Sequence, residues 1–204
     1  MKLTWQEHFK KQNMKFYLIT IIAMLCMAVG TASAQNINIG TKIGLNSYTI
    51  NNDSGPGFDS KFGIHAGLLG HIHLSEQFAI QPELVYSMQG AKSGNTNFNL
   101  DYINVPVLVQ YMFDSGFRIQ AGPQIGFLVR AKAENNNGSV DIRDDFKSID
   151  AGLSFGASYI HTPTSFGIDA RYNLGLSDIS ENSGVQSNSR GLQIGIFYLF
   201  DHRN

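Results

Sequence analysis

FRIQAGPQIGFLVRAKA, residues Phe117 to Ala133, is apolar at every odd position from Phe117 to Ala131. Its even positions hold Arg118, Gln120, Gly122, Gln124, Gly126, Leu128, Arg130 and Lys132. Successive side chains of a strand point to opposite faces, so this is a strand with two chemically opposed sides. A soluble sheet would hide the apolar side in a protein core. A membrane barrel would show that side to lipid and keep the polar side within.

Seven further segments carry the same period of two. Ile37, Ile39, Thr41, Ile43 and Leu45 share one register, as do Phe62, Ile64, Ala66, Leu68, Ile72 and Leu74. Phe78, Ile80, Leu84, Tyr86 and Met88 form a third, and Ile103, Val105, Val107, Val109, Tyr111 and Phe113 a fourth. After the opening stretch come runs over 149–159, 166–174 and 192–200, which makes eight strands. Three connections are tight, at 75–77, 114–116 and 162–165. The others, at 51–60, 91–99, 132–145 and 177–190, are long and polar. An even-numbered meander with tight turns at one end and long loops at the other predicts an all-β, eight-stranded, antiparallel up-and-down transmembrane β-barrel.

The face opposite the apolar one decides between lipid and core. A soluble barrel needs a charge-rich outer face, whereas this register is mostly Gly, Gln, Ser and Asn. Its sparse charges, Lys42, Glu83, Arg118, Arg130, Asp150, Asp169 and Arg171, predict a paired network in a narrow lumen. Glu83, Asp150 and Asp169 are the expected carboxylate partners of Arg118 and Arg130. Phe78, Tyr111, Phe113, Phe117, Tyr159, Phe166, Tyr198 and Phe200 all fall near tight-turn ends, as a periplasmic aromatic girdle would. A lipocalin-like soluble barrel is the competing fold. Pro82, Pro106 and Pro123 lie inside the expected strands, where a missing N–H predicts bulges or strand ends outside the hydrocarbon.

The start of the chain reads as an export signal. Lys10, Lys11 and Lys15 precede the apolar run FYLITIIAMLCMAV, and Ala32-Ser33-Ala34 supplies a cleavage motif before Gln35. Residues 1–34 are thus an expected signal peptide, with Met14 an alternative start, and 35–204 the barrel. The leader holds four Lys, one Glu, the single Cys and the single Trp. The 170 residues left carry 11 basic and 15 acidic side chains, a net charge of −4. That balance excludes a nucleic-acid footprint, and the absence of cysteine excludes disulfides and thiol chemistry.

GTKIGLNSY, YINVPVLVQY, IQAGPQIGFLV, IDAGLSFGASY and DARYNLGLSDI, in that order, resemble landmarks of the PorT-like outer-membrane β-barrel (porin family) proteins. The resemblance implies an OmpX/OmpA-like barrel in a Gram-negative outer membrane. It also implies outer-membrane lipids and the barrel-insertion machinery as partners. The aromatic that commonly ends such barrels is Phe200 here, followed by four more residues.

Open pores need roughly 16 strands, so eight imply a lumen filled by side chains. His71 and His73 form an H-x-H pair able to ligate a metal, but lack a visible third ligand; polar lumen or rim histidines are the expectation. Asp141, Asp144 and Asp145 lack EF-hand spacing. No nucleophile elbow or positioned triad marks a lipid-modifying hydrolase or acyltransferase, the alternative role on such a barrel. No cofactor, metal site or catalytic residue is assigned. The expected role is structural or interactive, through long extracellular loops and a protein partner that the residues do not specify.

Overall fold

Alternation carries the chain through nine strands. They are β1 (Ile37–Asn52), β2 (Asp59–His73), β3 (Phe78–Ser93), β4 (Thr96–Met112), β5 (Phe117–Asn135), β6 (Gly138–Asp141), β7 (Ile149–His161), β8 (Phe166–Gly175) and β9 (Ser187–Leu199). The structure, a computed structural model, describes residues 37–52, 58–136, 138–181 and 187–200. The expected signal peptide, its cleavage point and the residues after Phe200 lie outside these.

Each strand pairs antiparallel with its neighbours, β1 with both β2 and β9, and the β4–β5 pairing closes the ring. Eight strands therefore make a closed barrel with no free edge. β6 is an extra ribbon folded back on the end of β5, pairing Lys132–Asn135 with Gly138–Asp141. The eight barrel strands coincide with the eight alternating segments.

They run farther at the loop end than the apolar pattern does. A spanning strand needs about 9–11 residues, yet β1, β3, β4 and β5 have 16, 16, 17 and 19. The expected loop at 91–99 is instead a two-residue hairpin: Ser93 pairs with Thr96, and Gly94 takes the turn at φ 54°. These upper strand ends project past the apolar band, so nothing requires them to be apolar on the outside.

The prolines are accommodated without register change, correcting the expectation of bulges or strand ends. Two successive ladder pairs are missing beside each one: Gly70/Pro82 with His71/Gln81, Glu83/Pro106 with Leu84/Val105, and Val107/Pro123 with Leu108/Gly122. The pairs on either side, such as Leu69↔Glu83 and Ile72↔Ile80, keep the same register. Each absent N–H thus interrupts the ladder over two pairs without shifting it.

A bulge does occur, at Val129. Tyr102 pairs with Leu128 but Asp101 pairs with Arg130, so Val129 is the extra residue. An extra residue reverses the facing of everything beyond it. Ala131, expected on the lipid side, is instead 1% exposed within an inner cluster. The bulge carbonyls are capped by one side chain, with Arg143 Nη1 donating to Val129 O at 2.8 Å and Nη2 to Leu128 O at 3.0 Å.

Candidate functional site: the barrel interior and its two ends

The two faces separate cleanly below the bulge. On β9, Ile194 is 56% exposed and the adjacent Gln193 is 4% exposed. The outward register presents Ile43, Leu45, Ile64, Leu68, Leu84, Val109, Ile119, Leu153, Ile168 and Ile196 in one apolar band around the barrel. Soluble monomers rarely expose such a contiguous surface.

Inside, four charges form one lattice at mid-barrel. Arg171 donates through Nη1 and Nη2 to both oxygens of Glu83, each at 2.7 Å, a bidentate pair. Its Nε lies 2.7 Å from Asp169 Oδ2. Lys42 Nζ donates to the same Asp169 oxygen at 3.0 Å and sits 3.5 Å from Glu83 Oε2. Two cations thus face two anions, every one nearly fully buried. Buried charge is tolerable only when compensated in this way. The residues come from β1, β3 and β8, so the lattice crosses the lumen.

Amides and hydroxyls extend it. Gln81 Nε2 donates to Glu83 Oε1 at 2.6 Å, and Gln110 Nε2 donates to Gln81 and Gln120. Toward the loops, Tyr48 OH accepts from Asn173 Nδ2 at 2.7 Å, and Asn46 Nδ2 donates to Ser87 Oγ. His65 is fully buried beside the lattice, over two inward glycines. A Cβ at Gly44 would stand 2.7 Å from His65 Cε1, and one at Gly195 3.1 Å from Nε2. Those glycines make the room the ring occupies.

Apolar clusters lie on both sides of this polar layer, which the sequence reading did not anticipate. Leu69, Ile160, Phe197 and Leu199 gather at the tight-turn end. Ile50, Ala91, Leu100, Tyr102, Leu128, Ala131 and Ile179 gather at the loop end, with Phe58, Ile142 and Phe146 packed against them. Their positions fall on different strands, so no single segment shows them.

The loops across the mouth are clasped together. Lys147 Nζ donates to Asp178 Oδ2 at 2.7 Å, while Asp178 Oδ1 accepts from the backbone N–H groups of Ser180 and Ser187. The Lys147 hydrogen bond, then those N–H groups, hold the Asp178 carboxyl down at about 2. A depressed carboxylate stabilises the fold above its unfolded pKa, so the clasp weakens only as pH falls from about 4 through about 2. Lys147 N bonds Ile179 O, and Phe146 bridges to Ser180. A cavity of about 330 Å³ remains beside this clasp, lined by Phe58, Phe98, Phe146 and Asp145 among others.

Six of the seven expected lumen charges are inward and buried; they do not form one network. Arg130 is the exception. The Val129 bulge turns it outward, where its side chain is 48% exposed and 3.7 Å from Asp101 Oδ2. Asp101 also accepts from Tyr86 OH at 2.8 Å. Asp101 lay beyond the expected start of its strand, and only the longer β4 brings it opposite Arg130. Asp150 is occupied by hydroxyls, accepting from Ser177 Oγ at 2.7 Å and Ser189 Oγ at 2.6 Å. Arg118 has none of its expected partners: among the described residues no carboxylate comes within ion-pair distance.

The eight aromatics named for a girdle all lie at the tight-turn end. Phe78, Tyr111, Phe113 and Phe117 make one chain of ring contacts, with centroids 5.3, 4.9 and 5.7 Å apart. Phe166, Tyr198 and Phe200 make another, at 4.8 and 5.6 Å. His71 packs edge-on against His73 at 4.5 Å. Among the described residues, no cluster of three or more His, Cys, Asp or Glu is placed to hold a metal.

A closed eight-stranded antiparallel barrel with an apolar outer band and a polar interior is the architecture of small outer-membrane proteins. Residues 33–181 match the outer membrane protein beta-barrel domain, and the chain belongs to that family. The Neisserial surface protein A has the same fold, with a TM-score of 0.56 at 16% identity over 81% of this chain and 99% of that one. Ail, the attachment invasion locus protein of Yersinia pestis, aligns with a TM-score of 0.45 at 15% identity, over 79% of this chain and 98% of its own. No protein of curated function matches the sequence.

Proposed function

We propose that this outer-membrane barrel has a closed lumen and acts through its surfaces, in a structural or partner-binding role and without catalysis. The observation that carries this reading is the buried Lys42–Glu83–Asp169–Arg171 lattice, with apolar clusters on either side of it. An eight-stranded barrel is just wide enough for side chains to fill. An ion crossing it would have to break a compensated charge cluster and displace packed apolar groups at both ends. The clasped loops and projecting strand ends are the surface offered outside the cell. The aromatic chains at the tight-turn end mark the periplasmic interface, where rings of this kind settle at headgroup level. Residues 1–34 serve as the export signal, cleaved after Ala34, and outer-membrane lipids and the insertion machinery are the other partners. The resemblance of the ordered motifs from GTKIGLNSY to DARYNLGLSDI supports a PorT-like reading of the chain.

Reconstitution in planar bilayers tests the closed lumen. Verified insertion should give no stable conductance steps, and large long-lived openings would overturn the reading.

A further inference from the structure

Arg118 is 3% exposed, points inward from the second position of β5, and stands one step inside the tight-turn end. Its Nη1 is buried without a hydrogen-bond partner. The carboxylates expected to serve it are engaged elsewhere: Glu83 and Asp169 with Arg171 and Lys42, Asp150 with two serines. An isolated buried cation is among the costliest features a fold can carry, since desolvation is not repaid.

The surroundings supply more donors of the same kind. Ser158 on β7 is the cross-strand partner of Arg118, and its Oγ is buried and unpartnered. Gln120, two residues along on the same inward face, has its Oε1 occupied by Gln110 and its Nε2 buried and unpartnered. Two strands thus bring a guanidinium, an amide N–H and a hydroxyl to one patch of inner wall. Asp169 lies across the next seam from Ser158; its Oδ2 meets Lys42 and Arg171, which compensate its charge, while its Oδ1 is buried without a hydrogen-bond partner.

We propose that this patch is a binding site for a small inorganic anion, a halide or a phosphate-like oxyanion, held by Arg118, Gln120 and Ser158 near the tight-turn end. Such an anion satisfies three buried donors and neutralises a lumen cation that, among the described residues, no carboxylate answers. The site does not depend on the closed-lumen reading, because an anion can rest at one end whether or not ions cross.

The test uses the full barrel purified in detergent, in sodium bromide, sodium phosphate or sodium gluconate at equal ionic strength. Its thermal midpoint should climb with bromide or phosphate concentration and stay flat in gluconate, as ligand binding to the folded state requires. Which salt raises it separates a halide from an oxyanion site. Arg118→Met should abolish the rise yet be no less stable than the parent in gluconate, since the uncompensated charge is gone. Ser158→Ala, which leaves the charge in place, should weaken apparent affinity by about tenfold. Where bromide raises the midpoint, its anomalous density should lie on Arg118. A midpoint indifferent to both anions, an equal rise in Arg118→Met, or, where bromide raises the midpoint, bromide found only elsewhere would each overturn the site.

Discussion

Glu83→Gln should destabilise the barrel by about 3–5 kcal/mol, the usual cost of removing one partner from a buried ion pair. Glu83 takes both Arg171 hydrogen bonds and lies 3.5 Å from Lys42, so its loss leaves two cations sharing Asp169 alone. Arg171→Met should cost a similar amount, by leaving two carboxylates to one lysine. The double variant should recover much of the loss, because it removes one charge of each sign. It also retains the Lys42–Asp169 pair at 3.0 Å. Urea titration of the folded fraction in liposomes, run as a double-mutant cycle, reads this coupling directly. Simple additivity would show that the four charges do not act as one lattice.

What could be read beforehand was whatever depends on one strand at a time. The period of two fixes the facing of Ile119 and Gln120, and tight turns locate Phe78, Phe117, Phe166 and Tyr198 at one end. Features built from several strands were hidden. The extra residue at Val129 has no compositional signature, so alternation alone puts Arg130 inward and Ala131 outward. Asn97 and Asn99 read as loop because strand ends above the membrane need no apolar outer face. The pairing of Glu83 with Arg171, 88 residues away, follows only from barrel closure. The same closure engages Glu83 and Asp169 with Arg171, and so leaves Arg118 without a carboxylate among the described residues.

Ile194→Arg carries the second large expected effect, about 2–4 kcal/mol of lost stability, if the outer band meets lipid. A strand rising about 3.3 Å per residue, tilted about 40°, crosses a 25 Å apolar band in about ten residues. Tyr198, in its ring chain with Phe166 and Phe200, marks the periplasmic boundary. Four residues up, Ile194 therefore lies near the midplane, with Leu45 and Ala170 beside it. Refolding into liposomes measures the cost. The same substitution at Val140, an exposed residue on β6 outside the barrel wall, should be nearly neutral. A small cost at Ile194 equal to that at Val140 would mean that both positions face water.

The facing of the strands is most directly tested on the stretch that decides the fold. Single cysteines placed from Ile119 to Ile125 in the cysteine-free barrel region, each carrying a nitroxide label, can be probed in liposomes with dissolved oxygen and with a water-soluble nickel chelate. Lipid contact at Ile119, Ala121, Pro123 and Ile125, alternating with protected sites at Gln120, Gly122 and Gln124, is the predicted result. Nickel accessibility at the odd positions, with no oxygen enrichment there, would place the apolar face in water and contradict the account.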